Sequence, residues 1–157
     1  MVFTVSDTRT SATDVSGDKI AELLLAAGHQ VVRRQIVVDD AERIRGLVLA
    51  GVESFQADAI ILSGGTGLAP RDVTPEATRT VLQREAPGIA EALRADSIAK
   101  TPHGLLSRGV AGVVSGALVV NLPGSPGGCR DGYAILQPAL GHAAALLADE
   151  PTRHQQT

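Results

Sequence analysis

Five consecutive small or polar residues, Ser63, Gly64, Gly65, Thr66 and Gly67, follow the apolar run Ala59-Ile60-Ile61-Leu62, and Arg71 and Asp72 come close behind. Glycines let a backbone approach a ligand and point successive N–H groups at an anion, and a helix entrance after the loop adds a favourable partial charge. The segment is a candidate phosphate cradle, although an ordinary strand-to-helix turn uses the same residue types. It lacks the Gly-Lys-Ser/Thr ending of a Walker loop and the Gly-x-Gly-x-x-Gly spacing of a dinucleotide fingerprint. Arg71 suits a phosphate, and Asp72 suits a magnesium ion that bridges phosphate oxygens. The competing reading of this pair is an exposed ion pair beside a helix start, a common and weak feature.

Further polar residues sit where other apolar runs end. Asp40 reads as a helix-opening acid, while Asp39 is open between that role and a ligand role. Asp7 and Asp14, within the polar stretch Ser6 to Ser16, are either turn formers or ligands. Asn121, the only asparagine, ends an apolar run, where a buried amide needs partners; it either joins a site or ties two loops together. Ser125 and Pro126 read as N-cap and first helical residue, with anion contact as an added role. The four histidines, His29, His103, His142 and His154, lack paired ligand spacing, and only His103, ahead of Ser107 and Arg108, is kept as a candidate. Cys129 reads as a small hydrophobe on a helix face. As the only cysteine, it excludes an intrachain disulfide and a cysteine zinc site.

Hydrophobic periodicity places these residues on strands, helices and the loops between them. Val2–Val5 predicts a strand, and Ile20, Leu23, Leu24 and Ala27 predict a helix stopped by Gly28. Val31 to Val38 predicts a second strand, the spacing from Asp40 a second helix, and Ala59–Leu62 a third strand. Beyond the glycine loop, Thr74 is expected as N-cap of a helix from Pro75 to about Glu85, followed by a short helix over Ile89–Arg94; 97–108 has no clear pattern. Val110–Val114 and Ala117–Leu122 predict strands joined at Ser115-Gly116. A final helix from Pro126 is expected to break or kink at Pro138. This order predicts an α/β, three-layer α-β-α fold, a mostly parallel sheet with helices on both faces and a small antiparallel element. Ligands of such sheets bind at the carboxyl ends of the strands, so Ser6–Ser16, Asp39–Asp40, Ser63–Asp72 and Asn121–Ser125 should converge there.

A length of 157 residues and a hydrophobic content of 44% suit one domain, expected over residues 1–150, with a frayed polar tail over 151–157. No run approaches the ~20 apolar residues that span a bilayer, and the start lacks a basic, apolar leader. A soluble cytoplasmic protein is expected, with no membrane partner. A dispersed net charge of −3 and an aromatic content of 2% argue against nucleic acid as partner.

With these residues in order, the chain resembles the molybdenum cofactor biosynthesis family that contains B-type proteins, molybdopterin adenylyltransferases and the G domain of gephyrin. The resemblance spans nearly the whole chain and rests on Val5-Ser6-Asp7, Asp14-Val15-Ser16-Gly17, Val38-Asp39-Asp40, Ser63 to Gly67, Arg71 to Ala77, Leu106-Ser107-Arg108 and Asn121 to Pro126. Ser63 stands where threonine is frequent, which keeps the hydroxyl. The Asp14 to Gly17 segment looks more like the shorter B-type proteins than the longer G-type enzymes. The resemblance implies Mg2+-dependent adenylylation of molybdopterin by ATP, giving adenylyl-molybdopterin and pyrophosphate. Its alternative is a molybdopterin-binding protein without efficient transfer. It also implies a homo-oligomer, trimer or hexamer, and a metal-insertion protein as a further partner. Carried over by position, Asp72 and Asp39 are catalytic and metal-holding. Ser6, Asp7, Asp14, Ser16, Ser63, Gly64, Gly65, Thr66, Gly67, Arg71, Ser107, Asn121, Pro123, Gly124 and Ser125 fall on substrate-binding positions.

Overall fold

The apolar run Val2–Val5 becomes strand β1, buried along its whole length because helices cover both of its faces. In this computed structural model, which describes residues 1–148, β1 lies between β2 (Arg34–Val37) and β3 (Ala59–Ser63) and pairs with both in parallel. Strand β3 pairs in parallel with β6 (Ala117–Leu122), and β6 pairs antiparallel with β5 (Ala111–Val114). A two-residue edge strand, β4 (Arg84–Glu85), pairs antiparallel with β5. The six-stranded order is β2-β1-β3-β6-β5-β4. Ser115 and Gly116 both take positive φ, 45° and 83°, the combination that a two-residue hairpin between right-twisted strands requires.

The period-two alternation of the central strands sorts the core into two layers. Phe3, Val5, Ile60 and Leu62 face helix α2 (Ala41–Glu53) and helix α3 (Thr74–Arg79) through Ile44, Val48 and Ala77. Val2 and Ile61 face helix α1 (Val15–Ala26) and helix α5 (Pro126–Leu147) through Ile20, Leu24, Tyr133 and Leu136. Helix α4 (Pro87–Lys100) adds Ile89 and Leu93 to this second layer. The chain is thus the expected three-layer α/β fold. Among the described residues no helix is long and apolar enough to cross a membrane.

Several local expectations are corrected. The helix expected over 75–85 stops at Arg79, because Gln83 and Ala86 give their N–H groups to Val113 and Ala111 at the sheet edge instead of to a helix. Thr74 is not its N-cap; Val73 occupies that position, and the Thr74 hydroxyl is buried without a hydrogen-bond partner. The short helix expected over 89–94 is α4, which Pro87 opens from within the first turn, where a missing N–H costs nothing. A 3₁₀ turn, Pro102–Leu106, follows it. The second strand is shorter than Val31–Val38, starting at Arg34. Helix α5 runs unbroken through Pro138, since its buried face, Cys129, Gly132, Tyr133, Leu136 and Leu140, continues across the proline. The tail expected over 151–157 lies outside the described residues.

Candidate active site

The parallel strands β2, β1, β3 and β6 end on one edge of the sheet, so the loops after them meet. From β1 the chain passes to β2 on one side and β3 on the other, and this switch point opens a crevice between their carboxyl ends. The loops are stitched together by the backbone: Ser6 N–H donates to Val37 O at 2.8 Å and Gly64 N–H to Leu122 O at 3.2 Å.

The turn after β3 requires glycine. Gly64 and Gly65 have φ of 100° and 61°, and a Cβ on Gly64 would meet the Val5 carbonyl oxygen at 2.3 Å. A Cβ on Gly65 would lie 2.4 Å from Thr74 Oγ1 and 2.8 Å from Asp39 Oδ1. Farther along, the corresponding point on Gly67 is 2.9 Å from Asp72 Oδ2. Asp39 and Asp72 therefore press against the same glycine turn from either end. Burial, and the negative charges of Asp7 and Asp72, raise the Asp39 carboxyl above its ordinary range. The Asp72 carboxylate also accepts a hydrogen bond from Ala69 N–H at 2.8 Å, closing the loop on itself.

Arg71 does not stand free for a ligand. Its Nε and Nη2 both donate to Asp7 at 2.8 Å, and this pair is exposed. The Arg71 hydrogen bond, with help from Asp39 N–H, holds the Asp7 carboxyl below its usual value. Asp14 is fully buried, where it caps α1 through Gly17 N–H at 3.0 Å and accepts from Thr4 Oγ1 and Arg34 Nη2 at 2.8 Å. Burial pushes its pKa up, but the hydrogen bonds from Arg34, Gly17 and Thr4 outweigh that and keep it low. Asp40 caps α2 through Arg43 N–H. Asn121 ties structure together: its Oδ1 accepts from Val110 N–H at 3.3 Å and its Nδ2 donates to Thr78 Oγ1 at 3.0 Å.

Two clefts flank the glycine turn. One, of about 560 Å³, is lined by Ser6, Asp7, Asp39, Gly64, Asp72 and Gly124, among others. The other, of about 490 Å³, is lined on the far side by Thr66, Gly67, His103, Ser107 and Pro123. Ser125, the N-cap of α5, lines both. Ser16 Oγ reaches in from α1 to donate to Gly124 O at 2.8 Å, and the buried Ser63 hydroxyl has no hydrogen-bond partner. Cys129 packs as expected; burial pushes its thiol up to about 11.

Two residues matter here that sequence reasoning gave no role. Arg108 braces the glycine turn: its N–H donates to Thr66 O at 2.9 Å, Nε to Gly67 O at 2.7 Å and Nη2 to Asp72 O at 2.6 Å, and the guanidinium also pairs with Glu76. Arg9 lines the acidic cleft and donates to Gly124 O at 2.8 Å.

The family described as "Probable molybdopterin binding domain" matches residues 1–142. The chain belongs to this family. It is 43% identical over 145 residues to the molybdenum cofactor biosynthesis protein B of Halalkalibacterium halodurans, covering 90% of this chain and 85% of that one. It is 35% identical over 136 residues to the molybdopterin adenylyltransferase of Helicobacter pylori, covering 85% and 77%. The crystal structure of the molybdopterin biosynthesis enzyme MoaB of Thermus thermophilus superposes with a TM-score of 0.87 at 41% identity, covering 96% of each chain. Membership of the family, with relatives at this level of identity, gives the protein a role in molybdenum cofactor biosynthesis.

Proposed function

We propose that the protein transfers the adenylyl group of ATP to molybdopterin, giving adenylyl-molybdopterin and pyrophosphate, with Mg2+ as cofactor. The observation that carries this reading is the meeting of Asp39 and Asp72 with the glycine turn in one cleft at the switch point of the sheet. In the reaction, a terminal phosphate oxygen of molybdopterin attacks the α-phosphorus of ATP. A new P–O bond forms as the bond to the bridging oxygen breaks, and that oxygen leaves with pyrophosphate. The attacking phosphate is already ionised, so no strong protein base is needed, and positioning and charge stabilisation supply the catalysis.

The donor set fits Mg2+. Among the described residues no group of three or more His, Cys, Asp or Glu side chains could hold a metal by itself. Mg2+ is usually held by one or two carboxylates together with substrate phosphates, which suits Asp39 and Asp72. Burial first, and then the neighbouring charges of Asp7 and Asp72, raise the Asp39 carboxyl, and a divalent cation would offset the part that comes from those charges. When bound, the ion offsets the phosphate charge that develops on the leaving pyrophosphate. The chain's own share is alignment: the Gly64–Gly67 turn presents backbone to the phosphates, Arg108 keeps that turn in shape, and the capped N-terminus of α5 faces both clefts.

The test is turnover of ATP and molybdopterin by the purified protein and by Asp72→Asn, which keeps an acceptor for Ala69 N–H while removing the charge. The expected outcome is Mg2+-dependent product from the wild type, loss of product on chelation, and a drop of about 100-fold or more in the variant. Unchanged turnover in Asp72→Asn would remove Asp72 from the mechanism. Tight pterin binding without product in the wild type would make the protein a molybdopterin carrier.

A further inference from the structure

A cleft that receives a polyphosphate needs positive charge, yet the cleft at the switch point is lined by three acids, Asp7, Asp39 and Asp72. Arg9 is the only lysine or arginine lining it among the described residues. The neighbouring Arg71 is already committed to Asp7 through two 2.8 Å bonds, and its side chain is 64% exposed.

Arg9 is less exposed than Arg71, and its contact with a carboxylate is longer. Its side chain is 27% exposed and is held from behind: Nη2 donates to Gly124 O at 2.8 Å, while Nη1 lies 3.5 Å from Asp14 Oδ1. The buried Asp14 carboxylate has its short partners elsewhere, in Thr4, Gly17 and Arg34, so it does not need Arg9 for neutralisation. A guanidinium has five N–H donors in a rigid fork matched to phosphate oxygens, and these two contacts leave most of them to give. Gly124, which holds the fork, packs against Gly64, with its Cβ position 3.2 Å from Gly64 Cα, and precedes the N-cap of α5. The loop after β1, the glycine turn and the start of α5 thus place one oriented guanidinium beside the backbone that faces the same cleft.

We propose that Arg9 is the phosphate-binding side chain of this cleft, taking the polyphosphate of the nucleotide, with the Gly124 carbonyl setting the direction of its fork. This rests on the adenylyl-transfer reading for the identity of the nucleotide, but polyphosphate binding itself is measured separately. The probe is inorganic tripolyphosphate with Mg2+, titrated calorimetrically at low and at physiological salt into the wild type, Arg9→Gln and Arg9→Lys, with circular dichroism and thermal melting alongside.

The expected result is an affinity about tenfold or more weaker in Arg9→Gln, with a shallower salt dependence, and an intermediate affinity in Arg9→Lys, which keeps the charge but loses the fork. A purely structural role would not change the salt dependence. Wild-type affinity in a folded Arg9→Gln would overturn the proposal; where that variant does not fold, wild-type affinity in Arg9→Lys would do so. Arg9-dependent binding of tripolyphosphate without any adenylylated pterin would remove the transferase reading and leave Arg9 in place. Adenylyl transfer by a wild type whose tripolyphosphate binding is independent of Arg9 would do the reverse.

Discussion

Asp39 records the electrostatics of the cleft in its own protonation. Its carboxyl is raised by burial and by the charges of Asp7 and Asp72, so the folded chain holds that proton more tightly than the unfolded chain does. Ionised Asp39 therefore opposes folding, and its contribution to stability falls as pH rises from the ordinary carboxylate range through the raised value. Asp39→Asn should melt at a higher temperature than the wild type at pH 7, with the gain shrinking toward pH 4, while adenylyl transfer is lost. A lower melting temperature at pH 7 would mean that the carboxylate is stabilising and that the crowding argument fails. That Asp39, Asp72 and the glycine turn meet in one cleft was legible because all three follow apolar runs whose carboxyl ends a parallel sheet brings to one edge. Arg9 and Arg108 were not, since their partners are backbone carbonyls 115 and 41 residues away, which no local pattern announces.

At the scale of the element, the glycine turn is held by contacts outside itself. Glycine, which the positive φ at positions 64 and 65 favours, leaves the turn without side chains to pack there, and Arg108 ties down the carbonyls at both ends of the segment 67–72. Arg108→Ala should lower stability by about 2 kcal/mol, as expected for lost charge-assisted hydrogen bonds to a partly buried partner, and should raise the KM for ATP. Urea unfolding and steady-state kinetics measure the two effects, and no change in either would show that the turn holds its shape alone. The strong strands β1, β3 and β6 and the Ser115-Gly116 hairpin were readable from apolar runs and turn chemistry. Edge strand β4 was not: two exposed residues, Arg84 and Glu85, carry no alternation, and only pairing to β5 makes them a strand. The unbroken α5 likewise depends on packing that outweighs one proline.

For the whole molecule, the sheet order explains why four separate loops line one cleft: parallel β2, β1, β3 and β6 deliver all their carboxyl ends to one edge. On that side of the chain Leu68, beside the glycine turn, and Leu105 and Leu106, in the 3₁₀ turn, are exposed. We expect a homo-oligomer, and sedimentation equilibrium should give a trimer or a multiple of three; a monomer at micromolar concentration would contradict it. Adenylyl transfer is defined by which phosphorus of ATP is attacked, and labelled ATP reports that. With molybdopterin and Mg2+, label in the α-phosphate should move to the pterin and label in the γ-phosphate should leave in pyrophosphate. Label from the γ-phosphate on the pterin, or α-label that never leaves the nucleotide, would contradict the account.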